Sequence, residues 1–331
     1  MSENISWSEI SAWCTCRQKW YWGYDRKITT KKLQRAPSVG SCGHAAIAAY
    51  RRGEDWDRAI GNWLDSELDQ QEAMFDEEME AYQEIVDLIR NIMPRYIDQY
   101  EKEDANFRTI KVEERFEVPV AGTSIKLIGY WDELLMDRDG FYWLRENKFP
   151  QQRFRSEEDL ELDGQIGTYQ WAANRLGYPI VGTIFDQVLA KVPAIPKTNK
   201  DGSLSRAKVA TDWATYERTA RRNGLDPIDY MEMQEKLADV RFFDRKYIYR
   251  PPIEVKLFAQ DMRRRIWDVR RKKRRHIYRN ESSINCGWCS YRELCLELVK
   301  GGDIEEIIEM QYQPKLSREE VKLQNGRRNE S

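Results

Sequence analysis

Two runs of strand-forming residues joined by an Asp-Gly pair constrain this chain most tightly. Lys126–Met136 is rich in Leu, Ile, Tyr and Trp, Asp139-Gly140 is a strong turn signal, and Phe141–Lys148 is a second strand-like run. Ile128–Phe149 therefore reads as a β-hairpin. Alternation along a strand puts Glu146 and Lys148 on one face, where Asp132 of the partner strand is placed to meet them. Two carboxylates suit a divalent cation, and an ammonium beside them orients water or stabilises phosphate charge. Glu-x-Lys alone also describes a solvated strand end. Hairpin register is not readable from sequence, so Asp132 is less securely placed than the other two. Glu133 faces the opposite side and does not substitute for it.

The 331 residues suffice for one large domain with insertions or for two domains. Lys+Arg and Asp+Glu nearly cancel, at 54 against 56, but their distribution is uneven. Asp65–Asp104 carries 14 acidic and 3 basic residues, whereas Arg263–Arg275 carries nine basic residues and one acid. Local clusters matter more than the sum when the partner is a polyanion. No stretch has the length of a membrane helix, and MSENISWSEI lacks the features of a secretory signal. A cytoplasmic location with reduced thiols is expected, so the six cysteines need a reading other than disulfides.

Taken in order, Ile5–Tyr24 reads as an aromatic-rich helix opened by a capping box, Ser6 with Glu9. Thr29–Ser38 reads as a loop. In the helix Val39–Arg52, Gly40 and Gly43 permit close backbone approach, Cys42 is a small packed residue, and His44 is one of only two histidines. Trp56–Glu67 and Gln71–Glu103 read as a helical insertion with an acidic, solvated face. Thr109–Val120 alternates as a strand ahead of the hairpin. Leu160–Leu176 reads as one helix with Gln165 and Tyr169 at i and i+4. Pro179–Lys191 is an apolar strand, Pro193–Arg206 a Pro/Gly/Ser/Lys-rich loop, and Ala207–Asn223 and Asp226–Leu237 helices. Val240–Tyr249 is an edge strand or arm. Ile253–Tyr278 is a long helix with Phe258, Met262, Ile266 and Val269 inward. Helices followed by three strands, a helix and a strand fit a mixed sheet with helices packed on it.

Cys286, Cys289 and Cys295 form C-x2-C-x5-C, which reads as a metal site lacking one ligand. Cys14 or Cys16 supplies it if the chain ends meet. Four thiolates suit zinc or an iron–sulfur cluster, and the one-plus-three pattern fits a cubane better.

Six motifs in series resemble the RecB-like branch of the PD-(D/E)XK nuclease superfamily, and in particular its iron–sulfur members: the fourth CRISPR-associated (Cas) exonuclease family, the AddB nuclease domain and their phage relatives. The family's Ser-rich helix leading to Cys-Pro-x-Lys-aromatic-aromatic is matched by Ser8–Tyr21, with Arg17 in place of the proline, and this alignment favours Cys16 over Cys14. Gly-x-x-x-His is matched by Gly40–His44, Gly-x-x-Asp by Gly129–Asp132, (Asp/Glu)-x-Lys by Glu146–Lys148, Gln-x-x-x-Tyr by Gln165–Tyr169 and the terminal cysteine motif by Cys286–Cys295. Trp56–Asp104 and Pro193–Asp239 carry no motif.

The resemblance implies an α/β (mixed α+β) restriction-endonuclease-like core: a central mixed sheet flanked by helices, with a helical insertion and an iron–sulfur clasp joining the N- and C-terminal segments. It implies one nuclease domain over 1–312, with insertions at 55–104 and 193–239, and a partly disordered polar tail at 313–331. It implies a DNA exonuclease working with Mg²⁺ or Mn²⁺, on single strands or ends, in phage recombination, repair or CRISPR adaptation. Asp132, Glu146, the Asn147 carbonyl and His44 would hold the cation. Lys148 would position or activate water, and Gln165 and Tyr169 would steady the lysine or the DNA backbone. Cys16, Cys286, Cys289 and Cys295 would hold a 4Fe-4S cluster. Arg263, Arg264, Arg265, Arg270, Arg271, Lys272, Lys273, Arg274 and Arg275 would track phosphates, with Trp267 stacking on bases. The competing reading is a nuclease-fold DNA-binding or adaptor protein without significant catalysis.

Overall fold

The computed structural model describes residues 4–69, 76–207, 210–271, 276–316 and 320. In chain order, β1 (Asn4–Ser6) leads into α1 (Trp7–Thr15), α2 (Arg17–Trp20) and a π-helical turn at Tyr21–Asp25. Then come β2 (Ile28–Thr30), α3 (Arg35–Arg51), α4 (Trp56–Leu68) and α5 (Asp76–Asp104). The strands β3 (Phe107–Pro119), β4 (Lys126–Asp137) and β5 (Tyr142–Lys148) are followed by α6 (Glu157–Glu161), α7 (Gly164–Arg175) and β6 (Ile180–Val188). The remainder comprises α8 (Trp213–Arg222), α9 (Met231–Leu237), β7 (Phe243–Tyr249), α10 (Pro252–Arg270), α11 (Ser283–Gly287), α12 (Arg292–Lys300), α13 (Ile304–Gln311) and β8 (Tyr312–Pro314). No described helix is long and apolar enough to cross a membrane.

Six strands form a mixed sheet in the order β1-β4-β5-β6-β7, with β3 also on β4. Helices flank it, as expected from sequence. The hairpin β4–β5 is antiparallel, and the Asp137 carboxylate ties its turn by accepting the N–H groups of Asp139 and Phe141. β3 runs along one edge of β4. The other edge is shared: β5 pairs only with Glu133–Met136, and β1 pairs with Lys126–Ile128. Residues 129–132 lie between these two ladders. Gly129 is required there, because the Phe116 ring lies 2.4 Å from where a Cβ would stand.

Side-chain alternation slips in this interval. Trp131 and Leu134 both enter the core packed by α1, α7 and α10, although strict alternation would send them to opposite faces. Opposite the slip, Glu113 of β3 has a φ of 53°, in the left-handed region.

The second face of the sheet carries charge under α5. Arg145 is 1% exposed and binds Glu133 at 2.8 Å and Asp104 at 2.7 Å. Arg51 pairs with Asp104 at 2.7 Å, and Arg245 grips both oxygens of Asp186. Tyr96 donates a further hydrogen bond to Asp186. Three arginines against three carboxylates form a neutral, buried lattice joining α3, α5, β4, β5, β6 and β7. The acidic helix is therefore more than a solvated wall: its outer acids face water, but Asp104 is a structural counter-ion.

Several boundaries differ from the sequence reading. The N-terminal helix breaks at Cys16, whose extended backbone separates α1 from α2. The expected single helix Leu160–Leu176 is two, because Asp163 accepts the Gln165 and Ile166 N–H groups and starts α7 afresh. Within the expected loop Thr29–Ser38, the first residues form β2 and α3 begins at Arg35. β2 pairs with β8, so Gln313 and Pro314, the first residues of the expected tail, are strand. Residues 317–319 and 321–331 of that tail lie outside the described residues.

Arg145→Met leaves Glu133 buried without its nearest counter-ion and takes one of three arginines from Asp104. A loss of about 3–5 kcal/mol is expected in denaturant unfolding; a change within about 1 kcal/mol would show that the lattice does not need Arg145.

Candidate active site

The β4–β5 ladder ends at Glu133↔Arg145. The next amide that would reach across, Asn147 N–H, instead donates to Asp132 Oδ2 at 2.7 Å. In an extended strand a residue's N–H and C=O project to the same edge, so the Asn147 carbonyl faces the gap that Asp132 occupies. Continuing the register by one residue sets Asp132 next to Glu146, and the charges of the two carboxylates repel.

Glu146 is 5% exposed. Its Oε1 accepts hydrogen bonds from Lys148 Nζ and, at 2.7 Å, from Gln165 Nε2. Gln165 stands in the first turn of α7 because Asp163 caps that helix. Burial first, and then the Asp132 charge, push the Glu146 carboxyl up to about 7 against the opposing pull of Lys148 and His44. Burial pulls the Lys148 ammonium down, but Glu146 and Asp132 more than reverse this, so its pKa lies above the ordinary lysine value. Lys148 is thus held as a cation.

α3 brings His44 to the same place. Gly43 lies against Phe149, one residue past Lys148: a Cβ on Gly43 would stand 2.1 Å from the ring, so α3 docks on the end of β5 only through glycine. Gly40 meets no such neighbour. His44 Nδ1 lies 3.4 Å from Asp132 Oδ1 and 3.7 Å from Glu113 Oε1. The ligand atoms of His44, Glu113 and Asp132 all lie within 4.8 Å of one another. They form one wall of a groove of about 760 Å³ that continues between α3 and α4 past Gly40, Ser41 and Asn62. One imidazole and converging carboxylates are a donor set that suits Mg²⁺ or Mn²⁺.

Asp132, Glu146, Asn147, Lys148, Gln165 and His44 thus come together as the sequence suggests. Tyr169 packs its ring edge-on against Phe116 at 5.1 Å. Glu113 belongs to no motif; its place across from Asp132 comes from the β3–β4 register, in which Pro119 pairs with Lys126.

The chain ends meet beside the cysteines. Cys16 and Cys286 are both charge neighbours of Cys289, and Cys16 and Cys289 of Cys295. Cys14 instead sits among Arg265, Asp268 and Arg17. Burial pushes the Cys289 and Cys295 thiols up, with the Tyr291 N–H and Trp22 indole pulling the other way. The Asn280 N–H donates to Cys16 Sγ at 3.4 Å. The buried Trp22 indole N–H completes no hydrogen bond, although it lies near enough to Cys295 to favour its thiolate. Donors therefore stand beside Cys16, Cys289 and Cys295, a setting compatible with thiolate ligands. Cys42 is buried in α3 among apolar side chains, and burial pushes its thiol up to about 12.

On α10, Arg264 and Arg265 are exposed, Trp267 is 41% exposed, and Arg263 is half-buried. Arg271 lies over the Trp267 ring. Arg270 turns inward to the Asn4 carbonyl at 2.7 Å. Lys272, Lys273, Arg274 and Arg275 lie outside the described residues.

The mixed sheet flanked by helices has the architecture of the restriction-endonuclease-like class. The sequence profile of the PD-(D/E)XK nuclease superfamily matches residues 4–296, and the chain belongs to that superfamily. Membership implies a metal-dependent nuclease with DNA as substrate. No curated protein sequence matches the chain. A solved structure described as "Crystal structure of SSO0001" is 12% identical, covers 89% of this chain and 86% of its own, and superposes with a TM-score of 0.35.

Between the ordinary carboxylate value of 4.5 and about 7, folded Glu146 keeps a proton that the unfolded chain has lost. The metal-free protein should therefore lose stability as pH rises through that window, and Glu146→Gln should flatten the slope of Tm against pH. Cation binding needs the deprotonated carboxylate, so Mn²⁺ affinity should climb over the same interval. An affinity constant from about pH 5 to about pH 8 would contradict the Glu146 assignment.

Proposed function

We propose that the protein is a metal-dependent DNA exonuclease acting in the cytoplasm on single strands or DNA ends, in phage recombination, repair or CRISPR adaptation. The observation that carries this reading is the split edge of β4, where Asp132, Glu146 and Lys148 gather with His44 above them. Asp132, Glu146, His44 and the Asn147 carbonyl hold Mg²⁺ or Mn²⁺. That cation supplies Lewis-acid activation of the phosphate and of a water nucleophile. Lys148, kept positive by its two carboxylate neighbours, orients the attacking water and stabilises charge building on the phosphorane oxygens. Gln165 steadies Glu146, and Tyr169 supports the same helix face. The groove between α3 and α4 has room for a few nucleotides of one strand, which supports single strands or frayed ends as substrate. Arg263, Arg264, Arg265, Trp267 and Arg271 offer phosphate contacts and a stacking surface. Arg270 is committed to the N-terminal strand.

Cys16, Cys286, Cys289 and Cys295 hold a 4Fe-4S cluster in this reading, as in the iron–sulfur exonucleases and AddB-type domains that the motifs resemble. Its role is structural, bonding the N-terminal helices to the C-terminal segment of a single nuclease domain. Protein contacts already cross the same seam: Tyr291 donates to the Ile28 carbonyl at 2.8 Å, and Arg26 forks onto Glu305.

End-labelled single- and double-stranded DNA, with Mg²⁺ or Mn²⁺, tests the activity. Lys148→Ala should cut the cleavage rate by about 10²–10⁴-fold while keeping the fold. A folded Lys148→Ala protein that still degrades DNA would sink the mechanism. Anaerobically purified wild type should absorb near ~400 nm, and Cys286→Ala should lose that band along with soluble yield. A colourless wild type containing zinc would overturn the cluster.

A further inference from the structure

We infer that Glu113 is a ligand to the divalent cation, completing a position with His44 and Asp132. This rests on the nuclease reading of the site and extends the ligand set beyond the residues that its motifs supply.

Glu113 comes from β3, a strand that carries no family motif. Register places it opposite Asp132, between the pairs Val112↔Glu133 and Glu114↔Trp131. Its side chain is 11% exposed, and its neighbours across the gap are 24% (His44) and 12% (Asp132). Two carboxylates drawn from water beside each other repel unless a cation lies between them. His44 presents the same nitrogen, Nδ1, to both carboxylates, and the three ligand atoms fit within the 4.8 Å that one ion spans.

The backbone is consistent with this role. A φ of 53° inside a strand is unfavourable for a glutamate, and a glycine would adopt it freely. Here the chain carries a glutamate. The strained residue stands across from the slip in β4 that turns Asp132 toward the gap, so the same irregularity aims both carboxylates at His44. Asp132 is the shared element: Oδ2 is fixed by the Asn147 amide, and Oδ1 faces His44.

The test is Mn²⁺ binding by full-length wild type, Glu113→Gln and Glu113→Gly, without DNA, followed by the free Mn²⁺ electron paramagnetic resonance signal. Circular dichroism and metal-free Tm are recorded in parallel. Glu113→Gln keeps the shape and removes the charge; it should weaken Mn²⁺ binding about tenfold or more. Glu113→Gly should lose affinity similarly while its metal-free Tm holds or rises by about 2–4 °C, because glycine relieves the backbone. A residue that only shapes the strand would not weaken binding in the isosteric Gln variant. Both variants binding Mn²⁺ within about twofold of wild type would overturn the assignment, as would a wild type that binds none. Binding and cleavage separate the two claims. Glu113-dependent Mn²⁺ binding in a protein that leaves all DNA intact would sink the nuclease reading and keep the ligand. Normal Mn²⁺ binding by both variants, in a protein whose cleavage depends on Lys148, would do the reverse.

Discussion

The pairing of Glu133 with Arg145 across β4 and β5 is the constraint on which the rest depends. It is the last rung of the hairpin ladder and also a buried ion pair at 2.8 Å. A slip of one residue would bury an arginine without a partner on one face and separate Asp132 from Glu146 on the other. The charge lattice under α5 thus locks the register that places the candidate site. Buried ion pairs are weak sources of net stability, but breaking one is costly, which suits a register lock.

Beyond that rung β5 leaves β4, and β1 takes over the edge only at Ile128, after the four residues 129–132. The site occupies the vacated interval. Asp132 takes the Asn147 amide that a continuing ladder would have used, α7 contributes Gln165 from its capped first turn, and α3 contributes His44 through the Gly43–Phe149 contact. A pleated surface normally spreads its charges between two faces. Here the ladder stops, alternation slips and Glu113 adopts a positive φ, so polar side chains from three strands and two helices gather in one place.

The hairpin, His44, Glu146, Lys148 and Gln165 were legible in sequence because each belongs to a short motif with local spacing. The mixed sheet followed from the order of helical and strand-like runs. Glu113 was not legible, since its relation to Asp132 runs through the register of a second hairpin and a break in alternation. Arg145, Asp104 and Asp186 were hidden for a different reason: a charged residue in a strand or at a helix end reads as solvent-facing until counter-ions from other elements are brought to it. The separation of α6 from α7 turned on the side chain of Asp163, in a stretch whose helical pattern looked continuous. Cys16 is now separated from Cys14 by surroundings, with other thiols around the first and Arg265, Asp268 and Arg17 around the second.

The most direct test of the central claim is an anomalous difference map from a crystal of this protein soaked in Mn²⁺. The expected result is a peak within about 2.0–2.6 Å of carboxylate oxygens of Asp132 and Glu146 and of the Asn147 carbonyl. A peak elsewhere on the protein, or none there in a preparation that still cleaves DNA, would contradict the assignment of this edge of β4 as the reactive centre.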